Sequence, residues 1–284
     1  MSTTLTDRPR DPTSPRTPAR TDAAPARLRV GPVTWPRAAW SEWLKFATLR
    51  STWAVLGAAV LGMVVLGAVI AYNTRNPAGL DPEDTVPSAT LQGYYLGQLL
   101  IASLGVLVVT GEYSTGMIRS TFAAVPRRLP VLTAKLAVFA VIVAVAMTAA
   151  SLAAFTLAQA VMSRYRPGYS LSDPGVLRVV IGTGIYLTLI GLIGSAIGWI
   201  VRSTPGALVT VVGLLLVVPV LFGNLLGSWG RTVAAYLPTG AGASFSTTHG
   251  NPNGLSPWTG FGVLLAWVVV AFVVAAVELR RRDA

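Results

Sequence analysis

The residues from Gly111 to Arg128 are polar and basic, and they stand between two long apolar runs. This insert is too short to be a domain, and its residue types suit docking better than bond-making. Ser114 at the start of a short helix accepts backbone N–H bonds, and Glu112 just before it suits a positive helix end. Ile118 and Phe122 then share a face at i and i+4, Arg119 projects elsewhere, and Pro126 stops the helix before the next apolar run. The expected product is a short amphipathic helix lying across the membrane surface, where a soluble partner can push. The competing reading is a tight interfacial connection whose Arg side chains snorkel.

Chemistry elsewhere in the chain is sparse. With no Cys, disulfide and thiolate chemistry are excluded, and the single His249 cannot build a multi-His metal site or relay. There is no Gly-x-x-x-x-Gly-Lys phosphate cradle, no His-Glu-x-x-His pair and no Gly-x-Ser-x-Gly elbow, so catalysis is not expected and ATP is not held in this chain in the P-loop manner. The central parts of the apolar runs contain no Asp, Glu, Lys or Arg, whereas an ion-driven carrier normally keeps at least one such group there. Energy for any transport should therefore come from outside the membrane part. Uncharged polar residues remain as candidates for a substrate route, namely Gln92, Tyr94, Tyr95, Gln98, Gln159 and Asn224. They serve equally well as interhelical hydrogen bonds worth about 0.6 to 2 kcal/mol each.

The elements that must position these residues follow from composition. The 284 residues are 53% hydrophobic and 12% charged, which is the composition of a membrane protein. A hydrocarbon core of ~30 Å needs about 20 apolar residues per helix. Six runs meet that length, at 52–72, 90–110, 131–162, 176–201, 206–226 and 257–278. The third exceeds one span and should tilt or protrude. Arg202 to Pro205 form a tight turn, with Pro205 in the first turn of the next helix. Of the 22 Lys and Arg, 17 fall before the first span, in the second loop with Lys135, at Arg202 and after the last span. The positive-inside rule then puts both termini in the cytoplasm of a multi-pass plasma-membrane protein. Topology thus accounts for the net charge of +11, and nucleic acid is not an expected partner.

Residues 1–34, rich in Pro, Ser and Thr and lacking an apolar run, read as a disordered cytoplasmic tail. Over 36–50, Trp40, Trp43, Leu44 and Ala47 recur at i, i+3, i+4 and i+7, with Glu42, Lys45 and Arg50 on the other faces. That pattern predicts an amphipathic helix in the interface plane whose basic residues favour anionic lipid, acting as anchor or as lever on the first span. Gly93, Gly97, Gly182, Gly184, Gly191, Gly194 and Gly198 mark close helix contacts, within the chain or with a second copy. Pro219 should kink the fifth span. Between spans five and six, Trp229, Tyr236, Leu237, Pro238 and Phe245 exceed the apolar content of a solvated loop, leaving room for a re-entrant segment that caps an outward exit.

The run Glu112-Tyr113-Ser114-Thr115-Gly116-Met117-Ile118-Arg119, followed by Pro126-Arg127-Arg128 and Lys135, resembles the ABC-2 type permeases of bacterial ATP-binding-cassette exporters. The likeness extends to Trp40, Trp43 and Lys45, the six spans and the Leu237-Pro238 loop, covering roughly residues 37 to 282. It implies an all-α integral membrane protein with a six-span domain over 52–282. The insert would be a coupling helix seated in a cleft of a separate cytoplasmic ATPase subunit, which binds ATP and Mg; this chain would bind no cofactor. Glu112, Ser114, Gly116, Met117, Ile118, Arg119, Phe122 and Arg127 would form the partner contact, and Gln92, Tyr95, Gln98 and Asn224 the substrate pathway. A second permease chain, identical or related, completes the transporter, and the cargo is hydrophobic or amphipathic. The alternatives are a non-transporting membrane scaffold that binds an ATPase and a polytopic lipid-modifying enzyme.

Overall fold

The computed structural model describes residues 34–73, 90–117, 128–163, 168–247 and 254–281. Among the described residues the chain is helical, without strands. In chain order the helices are α1 (Trp35–Thr48), α2 (Arg50–Asn73), α3 (Tyr94–Ser114), α4 (Arg128–Met162), α5 (Val176–Val201), α6 (Thr204–Val212), α7 (Val218–Leu225), α8 (Gly227–Tyr236), α9 (Pro238–Phe245) and α10 (Pro257–Arg281). Among the described residues six helical stretches are long and apolar enough to cross a membrane, α6 and α7 acting as one, so the chain is a multi-pass membrane protein. Their bounds follow the apolar runs closely except at the second. There Leu91 to Gly93 form turns and the helix starts at Tyr94. Gly93 backs onto the Met63 backbone of α2, where a Cβ would stand 2.8 Å from the Met63 carbonyl oxygen.

α5 is the centre of the bundle. Two-thirds (67%) of its apolar window is buried, against 17% for Thr204–Leu225, because α5 packs on α3, α4 and α10 while α6 and α7 lie at the edge. Glycines make that packing close. A Cβ at Gly105 would stand 2.1 Å from the Gly191 carbonyl oxygen, and one at Gly194 2.3 Å from that of Ala102, so α3 and α5 touch backbone to backbone. Gly97 meets Leu187, Gly182 meets Phe245, Gly184 meets Thr148 and Gly198 meets Val109. Every small residue singled out from the sequence is therefore engaged within the chain.

The irregularity expected at Pro219 takes the form of a π turn, Gly213–Val217, just upstream. Proline has no N–H to give the carbonyl four residues earlier, that of Leu215. The Thr239 hydroxyl of α9 donates to this carbonyl instead, at 3.1 Å, and the Val218 N–H reaches back to Gly213. A side chain from the loop thus satisfies the backbone that the proline leaves open. That loop is two short helices, α8 and α9. Pro238, Thr239, Ala241, Gly242, Ser244 and Phe245 of α9 are buried, against α5 and α10. Arg178 fixes its end by donating to the Phe245 and Thr247 carbonyls at 3.1 and 2.9 Å.

The turn between α5 and α6 is as expected: Arg202 closes α5 in the left-handed region (φ 58) and Pro205 lies in the first turn of α6.

Candidate functional site

The polar chemistry of the bundle concentrates where α3 ends, α4 begins and α1 joins α2. Glu42 and Lys45, three apart on α1, share one face. Glu112 lies in the last turn of α3 and Lys135 two turns into α4. These four side chains close a ring. Lys45 Nζ donates to Glu42 Oε1 at 2.7 Å and to Glu112 Oε1 at 2.8 Å, and Lys135 Nζ donates to Glu42 Oε2 at 2.6 Å and to Glu112 Oε1 at 2.9 Å. All four distances are those of charge-assisted bonds. The side chains of Glu42 and Lys135 are 4% exposed, Glu112 8% and Lys45 26%.

Isolated, each of these charges would cost several kcal/mol to bury. Two carboxylates alternating with two ammonium groups leave no net charge and give each ammonium two acceptors, which offsets that cost. Burial alone would lower the pKa of Lys45, but the hydrogen bonds and charges of Glu112 and Glu42 outweigh it and hold the group above its ordinary value. The account is incomplete at one atom: Glu112 Oε2 is buried and has no hydrogen-bond partner among the described residues. Neighbouring contacts brace the same end. Trp35 Nε1 donates to Thr133 Oγ1 at 3.3 Å, Thr204 Oγ1 to Thr110 Oγ1 at 2.9 Å, and the Arg202 guanidinium lies 5.6 Å from the Tyr113 ring centroid while donating to the Glu278 carbonyl.

This geometry corrects two expectations. Ser114 is not the cap of a new helix. It is the last residue of α3, with its hydroxyl donating to the Gly111 carbonyl at 3.0 Å, and Gly116 at φ 71 supplies the left-handed residue that ends the helix. Glu112 consequently sits at the negative end of a helix, an unfavourable place for a carboxylate, and Lys45 and Lys135 compensate it there. On α1 the side that carries Glu42 turns inward. Trp40, Trp43 and Leu44 point outward and are exposed, while Ala38, Glu42 and Phe46 are packed into the bundle. The ammonium of Lys45 is thus held by two carboxylates of its own chain.

Met117 is exposed, and Ile118, Arg119, Phe122 and Arg127 lie outside the described residues, as does His249. Of the pathway candidates, Gln98 is buried and accepts a short hydrogen bond from the Tyr186 hydroxyl of α5. The Tyr186 ring meets Tyr94 edge-on at 5.5 Å, and Tyr94 stacks on the exposed Tyr95 at 4.3 Å. Gln92 is half-buried in the turn before α3, and Asn224 is exposed on α7. Gln159 instead accepts the Tyr169 N–H at 2.9 Å. Gln98 and Tyr95 therefore belong to one aromatic group centred on Tyr186, which the sequence reading missed, and Asn224 stands apart from it.

Beside the charge ring a cleft of about 480 Å³ opens between the α1–α2 joint, α3 and α4. Phe46, Leu104, Leu107, Val108 and Phe139 give it apolar walls, and its polar lining comes from all four ring residues and the hydroxyls of Thr48, Ser51, Thr52, Ser114 and Thr115. Among the described residues no cluster of three or more His, Cys, Asp or Glu is arranged to hold a metal ion. No known family model matches the chain, and neither does any curated protein.

Proposed function

We propose that this protein is the membrane subunit of an ATP-driven exporter of the ABC-2 type, working with a separate cytoplasmic ATPase and a second permease chain. The observation that carries this reading is the charge ring at the root of the insert. Glu112 is six residues before Ile118, and through Lys45 and Lys135 it binds α1 and the start of α4. A force applied to the insert by a partner would therefore reach three helices at once, and α3 would pass it to α5 through their backbone contact at Gly105, Gly191 and Gly194. A buried, hydrogen-bonded ion network suits this task because its members move together or not at all. Each half would then switch between discrete arrangements, as packed cores do.

Further features support the same reading. The ring end also carries Arg202 and Arg281, in keeping with a cytoplasmic face and cytoplasmic termini in the plasma membrane. α8 and α9 form a hairpin at the opposite end of span five from Arg202, suited to a re-entrant cap over an outward exit, with α1 as the interfacial lever. ATP and Mg would be bound by the ATPase. The cargo would be hydrophobic or amphipathic, because the walls offered to it are apolar with a few Tyr and Gln hydroxyl and amide groups.

The test is reconstitution in vesicles with the P-loop ATPase encoded beside the gene. Substrate-dependent ATP turnover is expected, and Glu112→Ala or Arg119→Glu should lower it while membrane insertion stays intact. Unchanged turnover in both variants removes the coupling role. An ATPase that binds without any transport favours the scaffold reading.

A further inference from the structure

We propose that the π turn of span five is a hinge, that α7 and α8 form an arm that swings on it, and that the Thr239 hydroxyl is the latch that holds the arm in place. The arm is one piece. The Phe222 ring of α7 meets Trp229 of α8 edge-on at 5.9 Å, and Gly230 lies too close to the Phe222 carbonyl to admit a Cβ. Its ties to the bundle are few. α7 buries none of its side chains and packs chiefly on the π turn and α8, and α8 buries only Gly230. The arm leaves α-helical geometry at both ends, in the π turn Gly213–Val217 and at the extended Leu237 (ψ 156), and α8 touches α9 at Ala234 and Gly240, next to that second joint. A Cβ at Gly213 would meet no described atom within 4 Å, so the hinge has room to turn.

α9, by contrast, is anchored in the bundle. Gly242 lies against the Tyr186 ring of α5, and Gly260 of α10 lies against Ala241 and Ser244, both too closely to admit a Cβ. Two hydrogen bonds then join the arm to these fixed parts: Thr239 Oγ1 donates to the Leu215 carbonyl at 3.1 Å, and Trp267 Nε1 of α10 donates to the Tyr236 carbonyl at 2.9 Å. The first makes the device. Pro219 gives the Leu215 carbonyl no N–H, and both Leu215 and Thr239 are less than a tenth exposed. When α9 leaves its seat, that carbonyl loses its donor in apolar surroundings, and a bend at the π turn that brings it another donor relieves the loss. The seating of α9 and the bend of span five are thus one equilibrium. The inference rests on the fold alone and does not depend on transport or on a partner.

The chain has no Cys, so spin labels can be placed in pairs and their separation read by double electron–electron resonance on the full chain in mixed micelles. Leu225→Cys at the end of α7 with Leu177→Cys at the start of α5 follows the arm, and Val69→Cys of α2 with Leu177→Cys follows the bundle; all three positions are exposed. One narrow distribution is expected for each pair in the otherwise native chain. Thr239→Val should add a second distance population to the arm pair and leave the bundle pair unchanged, and Thr239→Ser should keep the single population. An arm pair that ignores Thr239→Val overturns the latch, as does a change that appears equally in the bundle pair or persists in Thr239→Ser. Hydrogen–deuterium exchange of the wild type needs no variant. The amides of Val220–Leu225 should exchange roughly tenfold faster than those of Leu208–Val212, with a step at the π turn, the factor that about one net hydrogen bond supplies. Equal protection on both sides of the π turn refutes the hinge.

Discussion

Replacing Lys135 by Met removes the most buried ammonium of the ring while keeping much of the side-chain volume. Two carboxylates, Glu42 and Glu112, are then left to share Lys45, and the net charge of the cluster falls from zero to minus one. Both carboxylates are less than a tenth exposed, so water cannot replace the missing partner. Breaking a buried ion pair on one side costs about 3–5 kcal/mol, and Lys135→Met should lie in that range. Lys45→Met produces the same charge change at a group that is 26% exposed, where solvent screens the loss, so about 1–2 kcal/mol is expected. Adding Glu112→Gln to Lys135→Met restores neutrality, with Glu42 and Lys45 paired. The double variant should then be more stable than the sum of the singles by about 1–3 kcal/mol, as residues in one network behave. The assay is reversible unfolding in mixed micelles followed by the fluorescence of the eight Trp. Strict additivity, or equal losses below about 0.5 kcal/mol for both Lys variants, would refute a buried and mutually dependent ring.

Thr239→Val should leave the Leu215 carbonyl without a donor and destabilise the chain by about 1–3 kcal/mol, whereas Thr239→Ser should be close to neutral; the same unfolding assay separates them. Gly194→Ala places a Cβ 2.3 Å from the Ala102 carbonyl, and forcing α3 from α5 should lower the unfolding midpoint by the equivalent of about 1–3 kcal/mol, with no loss if the two helices are not in backbone contact. The pKa of Lys45 is raised in the fold above 10.5, so its contribution is complete below that value and fades only as pH rises through the folded pKa. The stability difference between wild type and Lys45→Met should therefore stay constant from about pH 6 to 9, and a difference that vanishes by pH 9 contradicts the pairing.

The spans were legible in the sequence because bilayer thickness alone fixes their length and composition, and five of six runs lie within a few residues of the helices. The charge ring was not legible. Glu42 and Lys45 are three apart, but the other pairings join residues 67, 93 and 23 apart, and nothing local joins those. Glu42 and Lys45 read as the polar side of a surface helix, and only the packing of α1 on α4 turns that side inward. A faint signal existed in Lys135, which interrupts the start of an apolar run, and in Glu112, a carboxylate at the end of one. Ser114 misled because a hydroxyl after a carboxylate looks like a helix start, while the apolar run before it carries α3 through Gly111 without a break. The glycine contacts were legible as close packing but not as internal packing, since spacing says nothing about which helix lies opposite.

The most direct test of the exporter reading is co-purification with the ATPase encoded nearest to the gene, comparing wild type with Gly116→Trp. A Cβ at Gly116 would meet no described atom within 4 Å, but its φ is positive at 71, so a Trp there strains the root of the insert without disturbing the core. The account predicts that the ATPase comes down with wild type and is lost with the variant, while both chains remain folded in the membrane. A folded wild-type chain that captures no ATPase, or equal capture by the variant, would contradict it.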